Sequence, residues 1–164
     1  MEDYVMDDEE LNGIMKYEYE RVNECGILEY GFEVKLVNDA QNEEEKDYTK
    51  WKMLMIAPND SEYYGAKYII NVEFLKNYPY INPKFTFETP MYHCNVKENV
   101  ELNVNWLMKG MKIDYIMPRL LTLFYLQDPS VDKNSERCKL YNEKPEEFKA
   151  NIKKNVEHCK DIKL

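Results

Sequence analysis

Apolar residues return at helical spacing through Leu11, Ile14, Met15, Val22 and Cys25, after an acidic start and before Gly26. That pattern predicts an amphipathic helix with a glycine stop. The period then changes to two. Phe32, Val34 and Leu36 alternate, then Trp51, Met53 and Met55, then Tyr68, Ile70 and Val72, and Phe85 with Phe87 marks a short fourth run. Four half-buried strands are expected, because successive strand side chains point to opposite faces. Their connections are a charged stretch from Asn38 to Asp47, turn chemistry from Ala57 to Asp60, and an aromatic, proline-rich segment from Asn77 to Pro83. The last is too stiff for a helix and poor in ladder donors.

From Asp114 the helical period resumes with Ile116, Leu120, Leu121, Leu123, Phe124 and Leu126. So apolar a helix must be buried on most sides. Pro118 is accommodated only in a first turn, so the regular helix is expected to begin between Asp114 and Met117 and to stop before Asp128-Pro129. A final helix opens near Pro145, with Phe148, Ile152, Val156, Cys159 and Ile162 on one face and lysines on the other. A helix, a four-strand antiparallel meander, a buried central helix and a C-terminal helix amount to an α+β fold. One domain over residues 1–164 is expected, with no internal repeat.

Composition narrows the partners. With 164 residues, 44% of them hydrophobic, the chain is long and apolar enough for a packed core. The net charge of −9 repels nucleic acid and anionic lipid, so neither is an expected partner. Acidic residues concentrate at Glu2, Asp3, Asp7, Asp8, Glu9 and Glu10, where the dipole of a helix start favours them. The acidic N-terminus does not resemble a signal peptide, and no apolar run has the length of a membrane span, so a cytoplasmic or nuclear protein is expected. The four cysteines, Cys25, Cys94, Cys138 and Cys159, have no paired spacing, and the histidines are only His93 and His158. Free thiols are expected, with no metal site and no cofactor.

Several punctuated motifs then fall in a recognisable order. Pro58-Asn59-Asp60-Ser61, Tyr63 or Tyr64 and Gly65 come first. Phe74, Tyr78-Pro79-Tyr80, Pro83-Lys84, Tyr92-His93 and Asn95-Val96 follow. Together with the element order they resemble the core of the ubiquitin-conjugating enzymes, which implies a UBC-like fold. In that family a cysteine downstream of the histidine accepts ubiquitin or a ubiquitin-like protein as a thioester and passes it to a lysine. Sulfur suits that relay because it attacks well and leaves well.

Here the cysteine position holds something else. Aligning Asn99-Val100-Glu101-Leu102-Asn103-Val104 on the family's Asn-Val-Cys-Leu-Asn-Ile places Glu101 there and preserves the distance to Pro129. Keeping the spacing from His93 places Asn103 there instead. Neither register yields a thiol. An anhydride at Glu101 would hydrolyse, and the amide of Asn103 is not a nucleophile. The resemblance therefore implies a catalytically inactive variant. It would be a non-covalent cofactor or adaptor whose partners are ubiquitin or a ubiquitin-like protein, an active conjugating enzyme or a ligase. Two alternatives stand beside it: an active enzyme using Cys94 as the nucleophile, or a trafficking adaptor.

Asn95 occupies the family's oxyanion position, although an asparagine there also ties its own loop through backbone hydrogen bonds, the reading favoured here. His93 is expected to pack and bond locally. Cys94 fills the place of the family's proline, and only a depressed pKa would make it reactive. Phe74 matches the aromatic residue that many members of the family present to ligases and to inactive partner subunits. Tyr80 and Ile81 belong to the same expected exposed turn, so all three are candidate partner-binding residues. For Phe74 a core role competes, since it continues the alternation of Tyr68, Ile70 and Val72. The family's Trp-x-Pro is missing from Leu107 to Tyr115, and Trp106 replaces it only at a different spacing.

Overall fold

Helix α1, Asp8–Glu24, begins on a reciprocal cap. The Asp7 carboxylate accepts from the Glu10 N–H at 2.8 Å, and the Glu10 carboxylate accepts from the Asp7 N–H at 3.1 Å. Asp8, Glu9 and Glu10 fill the first turn, where the exposed N–H groups favour negative charge. The helix stops at the expected glycine: Gly26 has φ +78°, a left-handed conformation that only glycine adopts without strain. The computed structural model describes residues 5–164; residues 1–4, which carry Glu2 and Asp3 of the acidic tract, lie outside them.

Four strands follow as an antiparallel meander in the order β1, Phe32–Asn38; β2, Asp47–Ile56; β3, Lys67–Glu73; and β4, Lys84–Phe87. Register sets Leu36 beside Trp51, Trp51 beside Val72, and Val72 beside Phe85, so one face of the sheet is a continuous aromatic and aliphatic layer. The other face carries the row Lys35, Lys52, Asn71 and Thr86. A one-residue slip would exchange the two rows, which is why the alternation pins the register. Helix α1 packs on β2. Most of the buried apolar residues from Met6 to Cys159 belong to one cluster, while Leu54 and Ile69 are buried outside it.

The helical half departs from the pattern reading in three places. Helix α2 is Ile113–Leu120, with Pro118 inside it rather than in its first turn. Proline cannot donate to the carbonyl four residues back, and the α-helix ends two residues later, giving way to a 3-10 turn over Leu121–Phe124. Its burial is one-sided, because Tyr115 and Arg119 face solvent while Ile113, Ile116, Met117 and Leu120 are buried. Helix α3, Glu136–Glu143, was not expected. Its only buried residue is Cys138, and Ser135 caps it by accepting from the Cys138 N–H. Helix α4, Pro145–His158, opens at the expected proline and buries Phe148, Ile152 and Val156.

Phe74, outside the helical half, follows the alternation into the core and departs from the partner-contact expectation. It is only 2% exposed and packs against Trp51 and Tyr78, with ring centroids 4.7 and 5.2 Å apart. Its side chain is core and has no surface to present to a partner. Among the described residues, no helix is long and apolar enough to cross a membrane.

Candidate functional site

The turn after Tyr92 is held from both sides by buried polar contacts. His93 is fully buried; its Nδ1 accepts from the Asn95 N–H at 2.8 Å, so the ring proton sits on Nε2, 2.8 Å from both the Leu123 and Leu126 carbonyls. Burial pushes its pKa down to about 4, outweighing the pull of the two carbonyls toward the protonated form. The imidazole is neutral and fully bonded, which suits a brace between the turn and the 3-10 segment that follows α2 rather than a base.

Asn95 is 3% exposed and engages both ends of its amide with one residue. Its Nδ2 donates to the Asp128 carbonyl at 2.9 Å, and its Oδ1 accepts from the Asp128 N–H at 3.0 Å. An amide fixed at both ends by one backbone is oriented by the loop, with one of its two N–H groups already engaged. The loop-tying reading of Asn95 is the one the geometry matches.

Both candidates for the cysteine position lie on the segment that returns past this turn. Asn103 donates its backbone N–H to the Asn95 carbonyl at 2.7 Å, next to an isolated Val96–Leu102 bridge. Glu101 instead bridges Thr86 at the sheet edge, is exposed, and lies 3.9 Å from the Lys97 ammonium. Asn103 is thus the residue directly beside Asn95. Val100, between the two segments, has φ +66°, an uncommon and strained conformation for a β-branched residue.

A groove of about 100 Å³ opens here, with walls of Asn95, Val104, Trp106, Leu123, Leu126 and Asp128. None of the four cysteines lines it. Cys94 points away, 4% exposed, with its sulfur 3.9 Å from the Arg137 carbonyl. Burial pushes its thiol well above the ordinary range, and the neighbouring Cys138 adds to the shift. That is the opposite of what an active nucleophile needs, and it counts against the Cys94 alternative. Cys138 and Cys159 are buried too, while Cys25 is exposed at the distant end of α1.

The proposed contact residues separate. Tyr80 is 71% exposed, and Ile81 and Met108 are also exposed. The Gly110 N–H donates to the Pro79 carbonyl at 2.9 Å, so the loops that carry Tyr80 and Met108 lie side by side. Phe74 sits beneath them in the core. Trp106 lines the groove instead, with the Arg119 guanidinium 6.0 Å from its ring centre.

Three supports of the site were not read from the sequence. Gln127 accepts from the Cys94 N–H and donates to the Tyr63 hydroxyl, each at 2.8 Å. Asp128 holds Asn95 through its backbone. Arg137 donates to the Met91 and Val96 carbonyls and lies over the Tyr92 ring at 5.0 Å. Most of these contacts end on backbone atoms, which leave no residue-type signal. Among the described residues, no three His, Cys, Asp or Glu side chains gather where a metal ion could sit.

Comparison with known proteins follows the same outline. The family profile described as ubiquitin-conjugating enzyme matches residues 20–156. The ubiquitin-conjugating enzyme E2 of African swine fever virus is similar in two isolates. The Pig/Kenya/KEN-50/1950 protein is 27% identical over 138 residues, covering 70% of this chain and 62% of its own length. The Badajoz 1971 Vero-adapted protein is 28% identical over 136 residues, covering 70% and 63%. The chain thus spans a little under two thirds of the length of these viral relatives. Ubiquitin-conjugating enzyme E2 15 of Schizosaccharomyces pombe is 25% identical over 143 residues, covering 77% of this chain and 82% of its own.

Proposed function

The chain belongs to the ubiquitin-conjugating enzyme family, and from that premise we propose that it keeps the family's scaffold without the family's thioester. It acts as a non-covalent cofactor or adaptor in conjugation by ubiquitin or a ubiquitin-like protein, in the cytoplasm or nucleus. One observation carries this reading: no thiol borders the groove beside Asn95, and of the two candidates for the cysteine position it is Asn103 whose backbone bonds to Asn95. An amide nitrogen is too weakly nucleophilic to take an acyl group from a thioester. Glu101, the other candidate, lies at the sheet edge, where any acyl anhydride it formed would meet water.

The exposed surface of Tyr80, Ile81 and Met108 supports a role in holding a ligase or an active conjugating enzyme. The direct test is incubation with activating enzyme, ATP and a panel of ubiquitin-like proteins, read on non-reducing gels. The expected result is no adduct that a reducing agent removes. Such an adduct on the wild-type chain overturns the proposal, and its loss in Cys94→Ser would restore the reading in which Cys94 is the nucleophile. Affinity capture by the unmodified chain supplies the second arm. Conjugation machinery among the captured proteins supports the cofactor reading, whereas sorting machinery favours the trafficking adaptor.

A further inference from the structure

The groove leaves two buried thiols unused, and they face one another. Cys94 sits in the turn between His93 and Asn95, and Cys138 is the third residue of α3. The Cys138 sulfur lies 3.4 Å from the Cys94 carbonyl oxygen, and the Cys94 sulfur lies 3.9 Å from the carbonyl oxygen of Arg137, the residue before Cys138. Each sulfur therefore rests against the stretch of backbone that carries the other. Arg137 already fastens α3 to this turn through the Met91 and Val96 carbonyls, so the two backbones are held at short range whatever the thiols do. The other cysteines are elsewhere: Cys25 is in solvent at the end of α1, and Cys159 closes α4 with its carbonyl accepting from the Lys67 N–H.

We propose that Cys94 and Cys138 are a reversible oxidative modification site, at which a hydroperoxide converts the two thiols into a disulfide that staples the His93–Asn95 turn to α3. With hydrogen peroxide the reaction balances simply. One thiol attacks a peroxide oxygen and becomes a sulfenic acid with release of water. The second thiol attacks that sulfur, the S–S bond forms, and a second water leaves. Two thiols lose two electrons and two protons, and one peroxide becomes two waters. The thiolate is the attacking form and both groups are buried, so the reaction is slow at neutral pH and quickens as pH rises. The bridge pins the lip of the groove from behind, since Asn95 follows Cys94 directly. It forms whether or not the chain ever carries a modifier.

The test uses the full chain, reduced, with the exposed Cys25 first capped by iodoacetamide under native conditions. Hydrogen peroxide is applied at pH 7 and pH 9, and the product is denatured, alkylated and mapped by peptide mass spectrometry. Oxidation of the exposed Met108 serves as the internal gauge of dose. The expected product is a linked peptide carrying Cys94 and Cys138, formed faster at pH 9 and removed by dithiothreitol. Because the bridge closes a long loop, the oxidised protein should melt on the order of 10 °C above the reduced one. The proposal is overturned if Met108 is oxidised while Cys94 and Cys138 both remain alkylatable, or if the link joins Cys159 to either of them. A Cys138→Ser variant, where it folds, should leave Cys94 alkylatable at the same dose; a Cys94 still protected there would also overturn it.

Discussion

Replacing Asn95 by alanine distinguishes an amide that holds the loop from one held ready for chemistry. The side chain makes two hydrogen bonds, at 2.9 and 3.0 Å, both to the backbone of Asp128. Alanine removes both and leaves a carbonyl and an N–H in a place where Asn95 itself is 3% exposed. A buried group left unpaired costs about 1–3 kcal/mol; both bonds here are only partly buried, so about 1–2 kcal/mol each implies a loss of about 2–4 kcal/mol. For a domain of this size, each kcal/mol lowers the melting temperature by about 2–4 °C, so a fall of roughly 5–15 °C is expected. Urea unfolding should show a lower midpoint with an unchanged slope, since the surface exposed on unfolding stays the same. Asn103→Ala is the control. Its anchoring bond is a backbone N–H that alanine retains, and its cost should stay within about 0.5 kcal/mol. An Asn95→Ala protein that melts within a degree or so of wild type would refute the loop-tying account and return the amide to the solvent side of the groove.

Other expectations follow from the same contacts. His93 has a folded pKa of about 4 against an ordinary 6.5, so between those values the unfolded chain binds the extra proton. Stability is therefore complete above pH 6.5 and falls as pH drops toward 4, by up to about 3 kcal/mol; its ring signals in proton NMR should not titrate above pH 5.5 in the folded protein, and titration near the ordinary value would contradict the buried neutral form. Phe74→Ala, in contact with Trp51 and Tyr78, should cost about 3–5 kcal/mol in chemical denaturation, while Tyr80→Ala at the surface should stay within about 0.5. Reversed costs would put Phe74 back on the contact face. Asn103→Cys should gain a reducing-agent-sensitive adduct in the thioester assay and Glu101→Cys should not; the opposite outcome assigns the cysteine position to Glu101.

The strands were legible because their alternation is a direct consequence of the pleat. Leu36, Trp51, Met53, Met55, Tyr68, Ile70 and Val72 are all buried on one face, as their period requires. The helical half was less so. Cys138 is the only residue of α3 that is buried, so the segment has almost no apolar stripe and exists through its Ser135 cap and its packing on α4. Pro118 looked like a first-turn residue because propensity disfavours it elsewhere. Four buried neighbours in α2 outweigh that cost here, and the proline's effect shows instead as the early change to a 3-10 turn. Alternation carried Phe74 to the core and the family resemblance carried it to the surface, and its contact with Trp51 decides for the core.

The site divides along the same line. By itself, the sequence determined which side chains are present: a neutral-range histidine, an amide at Asn95, and no sulfur at either candidate position, Glu101 or Asn103. Chemistry that a residue type forbids is already forbidden in the unfolded chain. Only the tertiary structure decided which candidate stands beside Asn95, that both ends of the Asn95 amide are consumed by Asp128, and that Cys94 turns inward toward Cys138. The last two depend on backbone groups reached from positions more than thirty residues away, and the first on a bond between two backbones. Every residue except proline carries the same pair of backbone groups, so nothing in the order of side chains announces where they will meet.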